Sequence, residues 1–126
     1  MKALQIIETA YRGTLEEQDD TIIWLTHSMR DAGAELSVLL TGNAVNYAVK
    51  GQDASGLSFG DWKQTNPPRI EAELEKLIGK GVPVYAVRDD IDRRGLGKVA
   101  KVTGVQLVAR NALAALLEAH DLVWHW

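Results

Sequence analysis

The groups able to do chemistry are concentrated in one segment, Arg88-Asp89-Asp90-Ile91-Asp92-Arg93-Arg94. Asp89, Asp90 and Asp92 offer the hard oxygen ligands that magnesium takes. Three arginines flank them, however, and the formal charge of the segment is zero, so a self-paired surface network is the simpler reading and no metal site is expected. His27, His120 and His125 show no zinc spacing. His27 falls off the apolar stripe of its helix and is expected in solvent. His125 alternates with Trp124 and Trp126 and so faces away from them on a strand. No Gly-x-Ser-x-Gly elbow supports a serine hydrolase. Gly95-Leu96-Gly97-Lys98-Val99-Ala100 formally matches a dinucleotide fingerprint, but it does not directly follow a strand and no suitable acid lies about twenty residues on. No cofactor is expected. The chain contains no cysteine, which excludes disulfides, thiolate zinc sites and cysteine nucleophiles together.

The elements that must position these groups alternate between apolar runs and helical patterns, as in βα units around a largely parallel sheet. Strands are predicted at residues 2–9, 36–40, 82–87, 105–108 and 122–126. Thr14-Leu15-Glu16-Glu17 fits a capping box at the start of a helix, in which Ile22, Leu25 and Met29 form the buried stripe. Ala44, Val45, Ala48 and Val49 mark a short helix. Pro67 and Pro68 stand where another begins, running through Ile70, Leu74, Leu77 and Ile78. A weak helix is expected over residues 96–102, and a last one over 110–120 with Leu113, Leu116 and Leu117 inward. Residues 51–66 follow neither period and read as a long loop.

In parallel sheets, ligands bind beyond the carboxyl ends of the strands. Three loops leave such ends here. The first carries Tyr11, Gly13 and Thr14, but acids crowd the helix that follows, so Thr14 reads better as a cap than as a phosphate contact. In the second, Gly42 and Asn43 open a helix with no acid in it, whose N–H groups could hold an anion. The third carries Arg88 and Asp89. A cleft between the second and third loops could take a small anion or nucleotide, with Gly42 and Arg88 gripping it and Tyr11 stacking or donating a hydrogen bond.

The totals bound the rest. At 126 residues, 46% hydrophobic and 25% charged, the chain is a single globular domain, residues 1–126, able to bury a core without disulfides. Its net charge of -3 argues against a nucleic-acid binder that works by neutralising phosphates. No apolar run is long enough to span a bilayer, and residues 1–8 turn polar too soon for a signal peptide. A cytoplasmic protein is expected, with no membrane partner. Trp24 and Trp62 are the aromatics hardest to place in a monomer core, which tilts the expectation toward oligomers.

With those segments placed, the chain resembles the DsrE/DsrF-like sulfur-relay family over nearly its full length. The resemblance rests on Ala10-Tyr11-Arg12-Gly13-Thr14 after the first strand and on Leu36-Ser37-Val38-Leu39-Leu40-Thr41-Gly42-Asn43-Ala44-Val45. It continues through Val84-Tyr85-Ala86-Val87 leading to Arg93-Arg94-Gly95, and through residues 113–123 with Asp121 before the last strand. It implies a three-layer α/β/α sandwich with a five-stranded, mostly parallel sheet, assembled into dimers, trimers or hexamers. In sulfur-carrying members a cysteine ends the third strand. Here Val87 holds that position, and valine forms no thiolate. The resemblance therefore implies a non-catalytic structural or interaction subunit, in a homo-oligomer or beside a cysteine-bearing family partner. The reading leans away from an enzyme. A small-ligand binding module is the alternative.

Overall fold

The computed structural model describes residues 1–11, 20–53 and 55–126. Its centre is a five-stranded sheet of β1 (Lys2–Ile7), β2 (Glu35–Leu40), β5 (Val84–Val87), β6 (Gln106–Val108) and β7 (Leu122–His125). The order across the sheet is β6-β5-β2-β1-β7, and every pairing is parallel. This is the α/β architecture expected from the alternating apolar runs. Parallel pairing puts all five carboxyl ends on one edge of the sheet, so the loops that leave them share one end of the molecule.

Alternation along each strand sorts the apolar residues onto two faces. On the first face lie Ala3 and Ile7 of β1, Leu36, Val38 and Leu40 of β2, and Val84 and Ala86 of β5. Helices α1 (Thr21–Asp31) and α2 (Ile70–Gly79) cover this face with Ile22, Ile23, Leu74 and Leu77, and a 3-10 segment, Gly42–Ala48, adds Ala44, Val45 and Tyr47. The second face carries Leu4, Leu39 and Val87, with Leu113 and Leu116 of α4 (Leu113–Glu118) packed on it. Two helix layers thus enclose the sheet, and among the described residues the second is the one short helix α4 with the 3-10 turn before it.

The thin second layer leaves β7 uncovered. It is an edge strand whose four residues are all exposed, although Leu122, Val123 and Trp124 are large and apolar. Trp126 continues the pairing, its N–H donating to Ile6 O, while its indole Nε1 donates to the buried Gln5 Oε1 at 2.7 Å. Leu117, expected inward, is 39% exposed, whereas Leu113 and Leu116 pack on the sheet. Trp24 and Trp62 are also exposed, as their positions off any apolar stripe suggested.

Several local expectations change. The N-cap of α1 is Asp20, whose Oδ1 accepts from Ile22 N at 2.8 Å and Ile23 N at 3.2 Å. Its extended backbone, φ -162°, starts the helix there; Gly13, Thr14 and the capping box expected at Thr14 lie outside the described residues. The buried stripe runs through Ile22, Ile23 and Thr26, with Leu25 half-buried. His27 is not in solvent. Its Nε2 stands 3.0 Å from Glu73 O and 3.2 Å from a Glu73 carboxylate oxygen, fastening α1 to α2. The stretch 51–66 contains a small hairpin, β3 (Ser58–Phe59) with β4 (Trp62–Lys63). The helix expected at 96–102 is irregular; α3 (Arg88–Arg93) forms instead from the charged segment, directly after β5.

Candidate functional site

The carboxyl ends of the five parallel strands converge on one cavity of about 280 Å³. Ile6 and Glu8 come from the end of β1, Leu39, Thr41 and Gly42 from β2, and Asp90 from α3 behind β5. Arg110 follows β6, and His125 closes β7. Leu113 and Leu117 of α4 complete an aliphatic wall with Ile6 and Leu39.

Asp90 organises this site. It is only 6% exposed, and a buried carboxylate must find donors or lose its charge. One oxygen accepts from Gly42 N at 2.9 Å and the other from Arg110 Nη2 at 2.5 Å. The neighbouring Asp89 accepts Arg110 N at 2.8 Å. That N–H bond, helped by nearby arginine charge, holds Asp89 below the ordinary aspartate range. Arg94 joins α3 to the 3-10 segment, with Nη2 donating to Asn43 Oδ1 at 2.9 Å and Nη1 to Asp90 O at 3.2 Å. The charged segment is therefore not a self-paired surface network. Its key partners are Arg110, Gly42 and Asn43, none of them in the segment. Among the described residues, no group of three His, Cys, Asp or Glu side chains stands where it could hold a metal ion.

Beside Gly42, His125 Nε2 meets Glu8 Oε2 at 2.7 Å. Register explains how residues so far apart in sequence meet: β7 pairs with β1 so that His125 stands beside Ile6, and Glu8 lies two residues on, on the same face. Trp124 and Trp126 point to the other face, as alternation requires. Gly42 approaches closely here. Its φ is +53°, and a Cβ would come within 3.1 Å of Glu8 Cγ.

The residues singled out from sequence divide between two places. Gly42 lines the strand-end cavity, with its N–H already given to Asp90. Asn43 and Asp89 brace its frame, and Arg88 is exposed at the start of α3. Tyr11 belongs to a second, more apolar cavity of about 310 Å³ with Tyr47, Gln52 and Pro67. There Tyr11 has φ +58°, rare for a residue with a side chain. Its hydroxyl donates to Gln52 Oε1 at 2.8 Å, its ring meets Tyr47 edge-on, and burial raises its pKa. Tyr11 N also donates to Tyr47 OH, which donates in turn to Asp20 Oδ2 at 2.6 Å. Sequence reasoning missed Glu8, Arg110 and His125. The signal that could have found them is position: each ends a parallel strand or stands within two residues of its end.

Val87 is the last residue of β5 and is fully buried in one cluster with Leu4 and Leu39. No helix among the described residues is long and apolar enough to cross a membrane.

No protein-family model matches the chain, and no curated protein matches it. Solved structures do share its fold. The ychN protein from E. coli matches at 22% identity and TM-score 0.75, covering 100% of both chains. The conserved protein of unknown function BT1422 from Bacteroides thetaiotaomicron matches at 13% identity and TM-score 0.67, covering 98% of this chain and 94% of that one. MTH1491 from Methanobacterium thermoautotrophicum, also of unknown function, matches at 12% and 0.62, over 99% and 98%. At these identities the likeness is one of fold: the chain has the five-stranded parallel α/β architecture of ychN, over its whole length.

Proposed function

We propose that the chain is a non-thiol interaction subunit on a DsrE-like frame, working as a homo-oligomer or beside a cysteine-bearing relative. The observation that carries this reading is the apolar surface around β7. Leu117, Leu122, Val123, Trp124 and Trp126 are each 36–42% exposed along one edge of the sheet. An unpaired edge rich in large apolar groups is a template for another chain unless something covers it. Val87 supports the non-thiol half, since a buried aliphatic residue stands where sulfur would be carried. Light scattering coupled to size-exclusion chromatography tests the assembly. A dimer, trimer or hexamer is expected, which Val123→Lys dissociates. A wild-type monomer at high concentration, with no relative co-purifying from native cells, overturns the reading.

A second reading, a small-ligand module, is favoured by the strand-end cavity. Its walls are aliphatic and its polar groups converge from all five strands, the usual character of a ligand site. Gly42 N serves Asp90, so the anion grip expected of it passes to Arg110. Thermal unfolding screened against amino acids, organic acids and nucleotides tests this reading, with stabilisation by one class expected and none by any class counting against it.

A further inference from the structure

The charges lining the strand-end cavity are of both signs, and this narrows what could fill it. Arg110 gives Nη2 to Asp90 and makes no other side-chain hydrogen bond among the described residues, so part of its planar fork remains open. Such a fork takes a carboxylate in preference to a point contact. On the lining of the same cavity, Glu8 uses Oε2 on His125 and leaves Oε1 without a protein donor among the described residues. An anion alone would be brought up against Glu8 and Asp90. A cation alone would meet Arg110. A molecule carrying both charges meets a partner for each.

The remaining wall is hydrocarbon: Ile6, Leu39, Leu113 and Leu117. The volume of about 280 Å³ is at the bottom of the range of roughly 300–1,000 Å³ usual for small-molecule sites, which suits a metabolite of few atoms better than a nucleotide. We infer that this cavity binds a small aliphatic zwitterion, the class of free α-amino acids with hydrocarbon side chains. The carboxylate lies on Arg110, the ammonium on Glu8, and the side chain against the four aliphatic residues. The inference rests on the small-ligand reading above and names its ligand class.

Isothermal titration of the full chain with four probes separates the possibilities. Leucine carries both charges and the hydrocarbon. 4-Methylpentanoate lacks the amine, 3-methylbutan-1-amine lacks the carboxylate, and serine lacks the hydrocarbon. Leucine is expected to bind, with each of the others weaker by about tenfold or more, the loss of one charged or apolar contact. Glu8→Gln should weaken leucine by about tenfold while leaving thermal unfolding unchanged. Leu117→Trp, at an exposed position on the wall, should block it. A half-ligand that binds as tightly as leucine overturns the assigned class and leaves the small-ligand reading standing, as does a nucleotide or organic acid that binds where leucine does not. Silence from every probe, nucleotides and organic acids included, removes both.

Discussion

Arg110 and Asp90 stand twenty positions apart in the chain and 2.5 Å apart in space, Nη2 to carboxylate oxygen. With Gly42 N on its other oxygen, Asp90 holds together the ends of three strands: β2 through Gly42, β5 through α3, and β6 through Arg110. Asp90→Ala would strand a backbone N–H and a guanidinium at once. Arg110 is about half exposed, so water compensates part of the loss. The expected cost is about 1–3 kcal/mol, below the 3–5 kcal/mol roughly expected when a fully buried pair is broken. Urea unfolding measures it, and a change under about 0.5 kcal/mol, the range of a neutral surface substitution, would deny Asp90 this role.

Gly42→Ala should destabilise by about 1–2 kcal/mol through its left-handed backbone, and it should also disturb Glu8. Gly33 provides the control, because it too has positive φ but a Cβ there meets nothing within 4 Å. Imidazole NMR signals of His125 should move in Gly42→Ala and stay in place in Gly33→Ala. Equal responses would mean that Gly42 is a turn residue and no part of the site.

Acid should weaken the fold through Asp31 and Asp89. A hydrogen bond from Lys80 holds the Asp31 carboxyl below its ordinary value of 3.8, and the Arg110 N–H does the same for Asp89. A depressed folded value means that the unfolded chain binds protons first as pH falls. The stabilisation is therefore present above 3.8 and is lost as pH drops through the lower folded values. Asp31 is exposed and Asp89 only partly covered, where solvent screens charge, so the slope is shallow. Melting temperature followed from about pH 5 down to about pH 2 should fall less steeply in an Asp31→Asn, Asp89→Asn double variant than in the wild type. Parallel curves would show that neither carboxylate contributes.

Val87→Cys would put a thiol at the end of β5 without giving it access to solvent. With Val87 fully buried among Leu4 and Leu39, the new thiol should resist a thiol-specific reagent in the native protein and react on unfolding. Burial in apolar surroundings also disfavours the thiolate. Rapid native-state reaction would show that β5 opens at its end.

The sheet was legible in the sequence because each strand is a short apolar run closed by a turn, and both faces are buried where the strands are central. The helices were less so. In α3 only Ile91 is apolar, so a six-residue helix whose other buried member is Asp90 carries no hydrophobic period. Residues 42–48 wind as a 3-10 segment, whose apolar residues also fit one turn of α-helix. Asp20 caps α1 just ahead of the apolar stripe, a short polar residue that the sequence shows but that the periodicity of the stripe does not single out. The site was half legible. Gly42 and the acids after β5 were found from the rule about strand ends. Glu8 and His125 could not be paired without knowing that β7 returns beside β1, because that contact spans 117 positions.

The Glu8–His125 bond places one wall of the cavity on β7, the same strand that bears the exposed apolar edge. Under the assembly and the ligand proposed above, the two are loads on one beam. A neighbour seated on β7 would act on His125 and through it on Glu8, and a ligand held by Glu8 would act back on that edge. Whatever factor the neighbour applies to the ligand's affinity, the ligand must return to the neighbour's.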